Sequence, residues 1–319
     1  MKQYLVFLLL LVACSGVTNE PMVAGTIYPA AYLAEGIIGD KANVVSVVPA
    51  GSEPHSYEPT PSQIVAISKA DLYIGIGLEF DHIEDEVTSQ GDMPIITLSE
   101  HIDLIEFDGE HHHEEHEEEH EEEHEEDHAD DHDEEHEEEH EEEADDHEED
   151  HVYDPHFWVS PQRMLNLVPV VLENVQSLAP ENSDYFAANA AALTATLQEL
   201  DVQYQTLSSC ERNDIIVNHA AFGYLAEDYG LNQHAVGGLS PEVEPTPQAL
   251  ADIIDETKEL GVTHIFFEEL ASPNVIETIA RETGAEVLVL NPAGGIMEGQ
   301  TYESIMTENL NNLKTALGC

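Results

Sequence analysis

Residues 110–151 constrain the folding of this chain more than any other stretch: 42 consecutive positions hold 28 acids, 12 histidines and 2 alanines, with no lysine or arginine. Crowded like charges repel, and the run has almost nothing apolar to bury, so it is expected to be disordered without metal. The folded part must then be assembled from the stretches on either side. Within the run, His112, His116, His120, His124, His128, His132, His136 and His140 recur every four residues. On a helix that spacing would set successive imidazoles on one face, each pair able to chelate an ion once cations offset the charge. Such imidazole density points to weak metal binding. A solvated spacer is the plainer alternative.

The whole chain has 68 acids against 8 Lys+Arg, and without the run's 28 acids the balance is still 40 against 8. That argues against nucleic acid or an anionic membrane surface as partner, because both need positive potential. A length of 319 residues suits two domains, and 41% apolar content leaves enough to build their cores.

Lys2 is followed by ten apolar residues, Tyr4 to Ala13. Crossing a bilayer takes about 20 helical residues, so this run is too short to span and reads as a secretory signal over residues 1–13. It ends on Leu11-Val12-Ala13-Cys14, which resembles the lipobox of prokaryotic lipoproteins, with Cys14 lipidated and residues 14–21 as a tether. The mature protein is expected outside the cytoplasm, anchored by lipid to the outer face of the cell membrane, or in the periplasm. In an oxidising compartment Cys210 and Cys319 are expected to pair, tying the C-terminus to the start of the second domain. Two free thiols are the alternative where the host does not oxidise its exported proteins.

Residues 22–109 alternate strand and helix patterns. Met22–Thr26, Val44–Val48, Asp71–Gly75 and Pro94–Leu98 read as strands, and Tyr28–Gly39 and Pro61–Ala70 as helices. Residues 152–181 complete this N-terminal lobe. Asn182–Ser209 reads as one long rigid linker helix of about 40 Å, with Phe186, Leu193, Leu197, Leu200, Tyr204 and Leu207 on one stripe. From 210 to 319 the alternation resumes. Strands are expected at Asp214–Val217, Gln233–Val236, His264–Glu268 and Glu286–Leu290, and helices at Phe222–Tyr229, Thr246–Leu260, Pro273–Thr283 and Thr301–Leu317. The expected fold is α/β: two lobes with parallel sheets flanked by helices, joined by one long helix, with a cleft between them.

Seven histidines lie outside the acidic run. His82, His101, His234 and His264 have no distinctive neighbours and read as surface or core residues. His55, in Gly51-Ser52-Glu53-Pro54-His55, and His219, in Asn218-His219-Ala220, each fall just past a strand, at the carboxyl ends where open α/β sheets place ligands. His156, in Asp154-Pro155-His156-Phe157-Trp158, precedes a helix, and Asp154 or a backbone carbonyl could fix its ring by taking the second N–H.

Taken in order, Gly51–Pro61, Asp154–Pro161, Asn218–Gly230, Gly238–Pro247 and Phe267–Pro273 resemble the metal-binding solute-binding proteins of ABC importers, the cluster A-I family, and within it the zinc-uptake, ZnuA-like branch. The resemblance covers nearly the whole mature chain. It implies a Zn2+ receptor with no enzymatic role, a monomer that hands its ion to a membrane permease driven by a cytoplasmic ATPase. The ligands it implies are His55, His156 and His219. Three imidazoles suit zinc, whereas Mn2+ favours more carboxylate oxygen. Where many relatives carry a fourth, carboxylate ligand, this chain has Gly294, so water, Glu268 or Glu53 is expected to complete the shell. Binding needs deprotonated imidazoles, so affinity is expected to fall as pH drops through about 6.

Other readings stand beside this one. A manganese or iron receptor would use the same fold. A zinc hydrolase would also use three histidines and a water, with Glu268 as base, but the chain has no His-Glu-x-x-His helix. A metal-buffering surface lipoprotein would need no transporter.

Overall fold

The computed structural model describes residues 21–78, 80–89, 93–107 and 152–319. The apolar N-terminal run, Cys14 and the acidic histidine-rich segment lie outside these residues. The chain divides into two compact units, one of residues 1–105 and 154–319, the other of residues 106–153. In the smaller unit the described residues form an antiparallel bridge between Glu106 and Tyr153, beside a 2.8 Å bond from the Phe107 N–H to the Val152 carbonyl.

The larger unit holds two α/β lobes. In the first, β1 (Met22–Gly25), β2 (Asn43–Ser46), β3 (Leu72–Gly75) and β4 (Ile95–Thr97) form one parallel sheet, ordered β2-β1-β3-β4. β3 is buried along its whole length, which is why it reads as an unbroken apolar run instead of an alternating one. α1 (Tyr28–Ile38) follows β1, with Pro29 pre-setting its first turn, and is buried on nearly every side. α2 (Pro61–Ile67) opens with a reciprocal cap between Thr60 and Gln63, and α3 (His82–Thr88) with Asp81 accepting from the Glu84 N–H.

Two long helices lead into the second lobe: α4 (Pro161–Leu178) and α5 (Ser183–Tyr204). α4 is capped by Ser160, whose Oγ accepts from the Arg163 N–H at 3.4 Å. It carries Pro169 within it, a residue that breaks the sequence signature of a helix, and only its start after His156 was foreseen. The linker helix is shorter than expected. α5 has 22 residues, about 33 Å instead of about 40 Å, and the chain then tightens into a 3-10 turn over Gln205–Ser209. There the Thr206 and Ser208 hydroxyls donate back to the carbonyls of Gln203 and Gln205 (2.6 and 2.9 Å), competing with regular helical bonding. The expected stripe from Phe186 to Leu207 is buried, and α5 packs on α1 and α4 of the first lobe.

The second lobe begins with β5 (Asp214–Val217), α6 (Gly223–Tyr229) and β6 (Asn232–Ala235). It continues with α7 (Pro247–Leu260), β7 (His264–Phe267), α8 (Asn274–Thr283), β8 (Glu286–Val289) and α9 (Tyr302–Leu317). β5 pairs with β6 and β7 with β8, all parallel. β5 and β7 lie side by side, but no ladder joins them among the described residues. Ile216, Val236, Ile253, Ile265, Ile276 and Ile279 form a separate cluster in this lobe. The main apolar core is continuous from Val23 in β1 to Leu317 in α9, so it runs through both lobes. α9 packs on α5, and a disulfide joins Cys210 to Cys319, with Cα atoms 4.8 Å apart. No described helix is long and apolar enough to cross a membrane.

Candidate metal centre

Three segments supply the imidazoles, two of them at the carboxyl ends of strands. His55 sits on the loop between β2 and α2, His219 two residues past β5, and His156 directly before the 3-10 turn Phe157–Val159. Their candidate ligand nitrogens all lie within 4.8 Å of one another. The Nε2 atoms of His55 and His156 are 3.1 Å apart. A tetrahedral ion with bonds of about 2.0–2.1 Å spaces its nitrogens about 3.3 Å apart, so the cluster has the scale of a zinc shell. The other described histidines lie elsewhere; His234, for instance, is held between Asp214 (3.0 Å) and Glu256 (2.7 Å).

Two of the three rings are fixed from behind by carboxylates. Asp154 Oδ1 accepts from the His156 backbone N–H (2.9 Å) and from its Nδ1–H (2.8 Å). Glu268 Oε1 accepts from the Nδ1–H of His219 at 2.7 Å. Placing the proton on Nδ1 leaves the Nε2 lone pair free to face the cluster, and a ligand ring held this way is more basic. His219 Nε2 is buried without a hydrogen-bond partner, a costly state for a polar atom unless something binds it. Asp154 is itself held in place. Its carbonyl accepts from the Tyr224 hydroxyl at 2.8 Å, and a Cβ at Gly223 would lie 2.6 Å from Oδ2, so only glycine lets the carboxylate in.

Of the candidates for the fourth position, Glu268 has its Oε1 engaged in orienting His219. Glu53 Oε1 accepts from the His55 backbone N–H at 3.1 Å. Neither joins the three-histidine cluster of ligand atoms among the described residues. The cavity there is small, about 20 Å3, enough for roughly one water-sized occupant. Glu53, Phe80, Trp158, Glu269, Leu270 and Gly295 line it with the histidines. Of these only Glu53 was foreseen, because what brings the others here is the tertiary fold.

Burial pulls the His55 pKa down to about 2, with the charges of His156 and His219 acting in the same direction. His156 is also lowered by burial, partly offset by its bond to Asp154. The His55 ring is therefore neutral and able to donate its lone pair well below pH 6, where an unperturbed imidazole would already be gaining a proton. Burial pushes the Glu53 carboxyl up.

Two α/β lobes with three imidazoles converging between them, two from loops that follow strands and one from the turn before α4, have the build of a metal-ion receptor. Residues 23–316 match the family described as "ZnuA: Zinc-uptake complex component A periplasmic", and the chain belongs to that family. It is 36% identical to the "High-affinity zinc uptake system protein ZnuA" of Bacillus subtilis (strain 168), over 92% of this chain and 87% of that protein. It is 33% identical to the "Zinc-binding protein AdcA" of Streptococcus pyogenes serotype M3, over 92% of this chain but 55% of that protein. The chain thus spans about half the length of the AdcA relatives it matches. Among solved structures, the Zn(II)-bound ZnuA-like domain of Streptococcus pneumoniae AdcA gives a TM-score of 0.71 at 28% identity, covering 94% of this chain and 100% of that one.

Proposed function

We propose that this protein is an extracytoplasmic zinc receptor, held at the membrane through lipid on Cys14, that captures Zn2+ and delivers it to an ABC permease and its ATPase. His55, His156 and His219 bind the ion, Asp154 and Glu268 orient two of the rings, and a water completes the shell. The observation that carries this reading is the set of converging imidazoles, two of them backed by carboxylates, with the buried Nε2 of His219 otherwise unpartnered. An all-nitrogen protein donor set favours zinc over manganese. The zinc-binding relatives support the same ion. The acidic histidine-rich segment serves as a low-affinity collector beside the tight site, and the net acidity of the rest raises the local cation concentration.

The test is competition of Zn2+ and Mn2+ against a chelator, with elemental analysis, on the full chain and on a version lacking residues 110–151. One tightly held zinc should survive the deletion and be lost in His156→Ala. Tight zinc that disappears with the segment would move the site to the acidic run and end the three-histidine assignment.

A further inference from the structure

We propose that Phe80 is the wall that limits the metal site to four donors, so that the site rejects ions needing a larger shell. This rests on the zinc-receptor reading above and adds a residue that sets its ion selectivity.

His55, His156, Trp158 and Phe80 form a closed circuit of rings. Neighbouring centroids lie 5.1 Å apart from His55 to His156, 5.2 Å on to Trp158, 5.3 Å on to Phe80 and 4.9 Å back to His55. Two members of the circuit offer nitrogen to an ion. The other two offer it only carbon. Phe80 stands edge-on to His55, with 88° between the ring planes, and Trp158 turns its one N–H away to the Pro292 carbonyl at 2.8 Å. His219 completes the donor set, its ring 5.4 Å from His55 and 5.2 Å from His156.

A water added as a further ligand needs space, and polar partners for its own hydrogens. The cavity of about 20 Å3 has room for roughly one. The carboxylates that line it are engaged: Glu268 with His219, Glu53 with the His55 N–H, and Glu269 with the side-chain amides of Asn291 and Gln300 at 3.1 and 3.2 Å. The carbon wall of Phe80 and Trp158 cannot replace the bonds that an extra water would lose. Zn2+ is satisfied by four donors, whereas Mn2+ favours an octahedral oxygen shell. An apolar wall therefore disfavours manganese more than zinc.

The position of Phe80 is imposed by the turn between β3 and α3. Gly77 and Leu78 are both left-handed there, with φ of 79° and 60°. Glycine adopts that conformation freely, leucine only under strain. The Asp81 N–H closes the turn on the Leu78 carbonyl at 3.3 Å. Asp81 is buried and locks it: Oδ2 accepts from the Ile76 N–H (2.8 Å) and the Thr26 hydroxyl (2.5 Å), and Oδ1 from the Glu84 N–H (3.1 Å). A strained turn, held by a buried carboxylate, thus delivers Phe80 to the three imidazoles, and backbone strain kept in this way clusters at functional positions.

The experiment loads the full chain with one equivalent of Co2+, a substitute for zinc whose visible bands are strong in four-coordinate sites and faint in six-coordinate ones. The wild type should show the strong bands and His156→Ala should lose them. Phe80→Ala removes the wall and should give faint bands while still holding one zinc. Phe80→Leu keeps an apolar side chain there and should retain the strong ones. In competition of Zn2+ and Mn2+ against a chelator, the preference for zinc should fall about tenfold or more in Phe80→Ala and stay within about threefold of wild type in Phe80→Leu. Strong bands, or an unchanged preference, in a folded Phe80→Ala protein would overturn the proposal. So would a six-coordinate spectrum in the wild type, a result that needs no variant to fold. A wild type that holds no tight metal, or whose metal is unaffected by His156→Ala, would instead sink the receptor reading, and the role of Phe80 with it.

Discussion

His156 and His219 are almost fully buried, with carboxylates at 2.8 and 2.7 Å fixing their rings, whereas His55 stands on a proline-rich loop with no such support. The first pair is organised by the fold before any ion arrives. The third ligand comes with a segment that few bonds hold down. Preorganisation of two donors cuts the ordering cost of capture. A cleft built wholly like its His156–His219 half would bind well and exchange slowly.

The largest expected effect comes from breaking the fixed half. His156→Ala should lower zinc affinity on the order of 100–1,000-fold, the share of one ligand in a typical four-ligand zinc site. It should also lower the stability of the metal-free protein by about 1–3 kcal/mol, because the buried Asp154 loses its ring partner. His55→Ala should cost comparable affinity but less metal-free stability, since the partner it leaves is one imidazole nitrogen, His156 Nε2, instead of a buried carboxylate. Chelator competition and thermal melts on both variants check the contrast, and equal destabilisation would erase it.

A smaller effect should follow when the supports are altered and the ligands kept. Asp154→Asn and Glu268→Gln should each weaken zinc binding by about 10–100-fold, the usual cost of removing the group that orients a ligand imidazole. Unchanged affinity in both would mean that the carboxylates serve only packing.

The smallest effect is a pH dependence specific to His55. Its folded pKa of about 2 lies below the unfolded value, so below about pH 6.5 the unfolded chain takes up a proton that the folded chain refuses. Metal-free stability should therefore fall from pH 7 to pH 5 more steeply in wild type than in His55→Ala, by on the order of 1–2 kcal/mol. The raised Glu53 works in the opposite direction and is common to both proteins, so the difference between them isolates the imidazole. Parallel melting profiles would count against the buried, neutral state of His55.

Much of this molecule was legible in its sequence because the informative residues are local. Strand, turn and candidate imidazole follow one another along the chain at His55 and His219, and Asp154 stands two residues from the ring it holds. What escaped depends on distance or on local conflict. Glu268 is 49 residues from His219, so nothing in the chain pattern distinguishes an orienting carboxylate from a ligand. Pro169 masked α4, and the hydroxyls of Thr206 and Ser208 shortened the linker helix within a stretch whose apolar stripe continues. The second-lobe strands were all anticipated, but periodicity does not say which neighbours share a ladder, and β5 and β7 do not. The close approach of Gly295 to the Ser52 carbonyl was invisible, because only the tertiary fold brings the two together.

The most direct measurement is zinc-edge X-ray absorption on protein lacking residues 110–151 and loaded with one zinc per chain, for the wild type and for His55→Ala. The wild type should show three imidazole nitrogens at about 2.0–2.1 Å and one oxygen at about 2.0–2.2 Å, and His55→Ala should lose one imidazole. A shell dominated by carboxylate oxygen, or one that His55→Ala leaves unchanged, would contradict the three-histidine site.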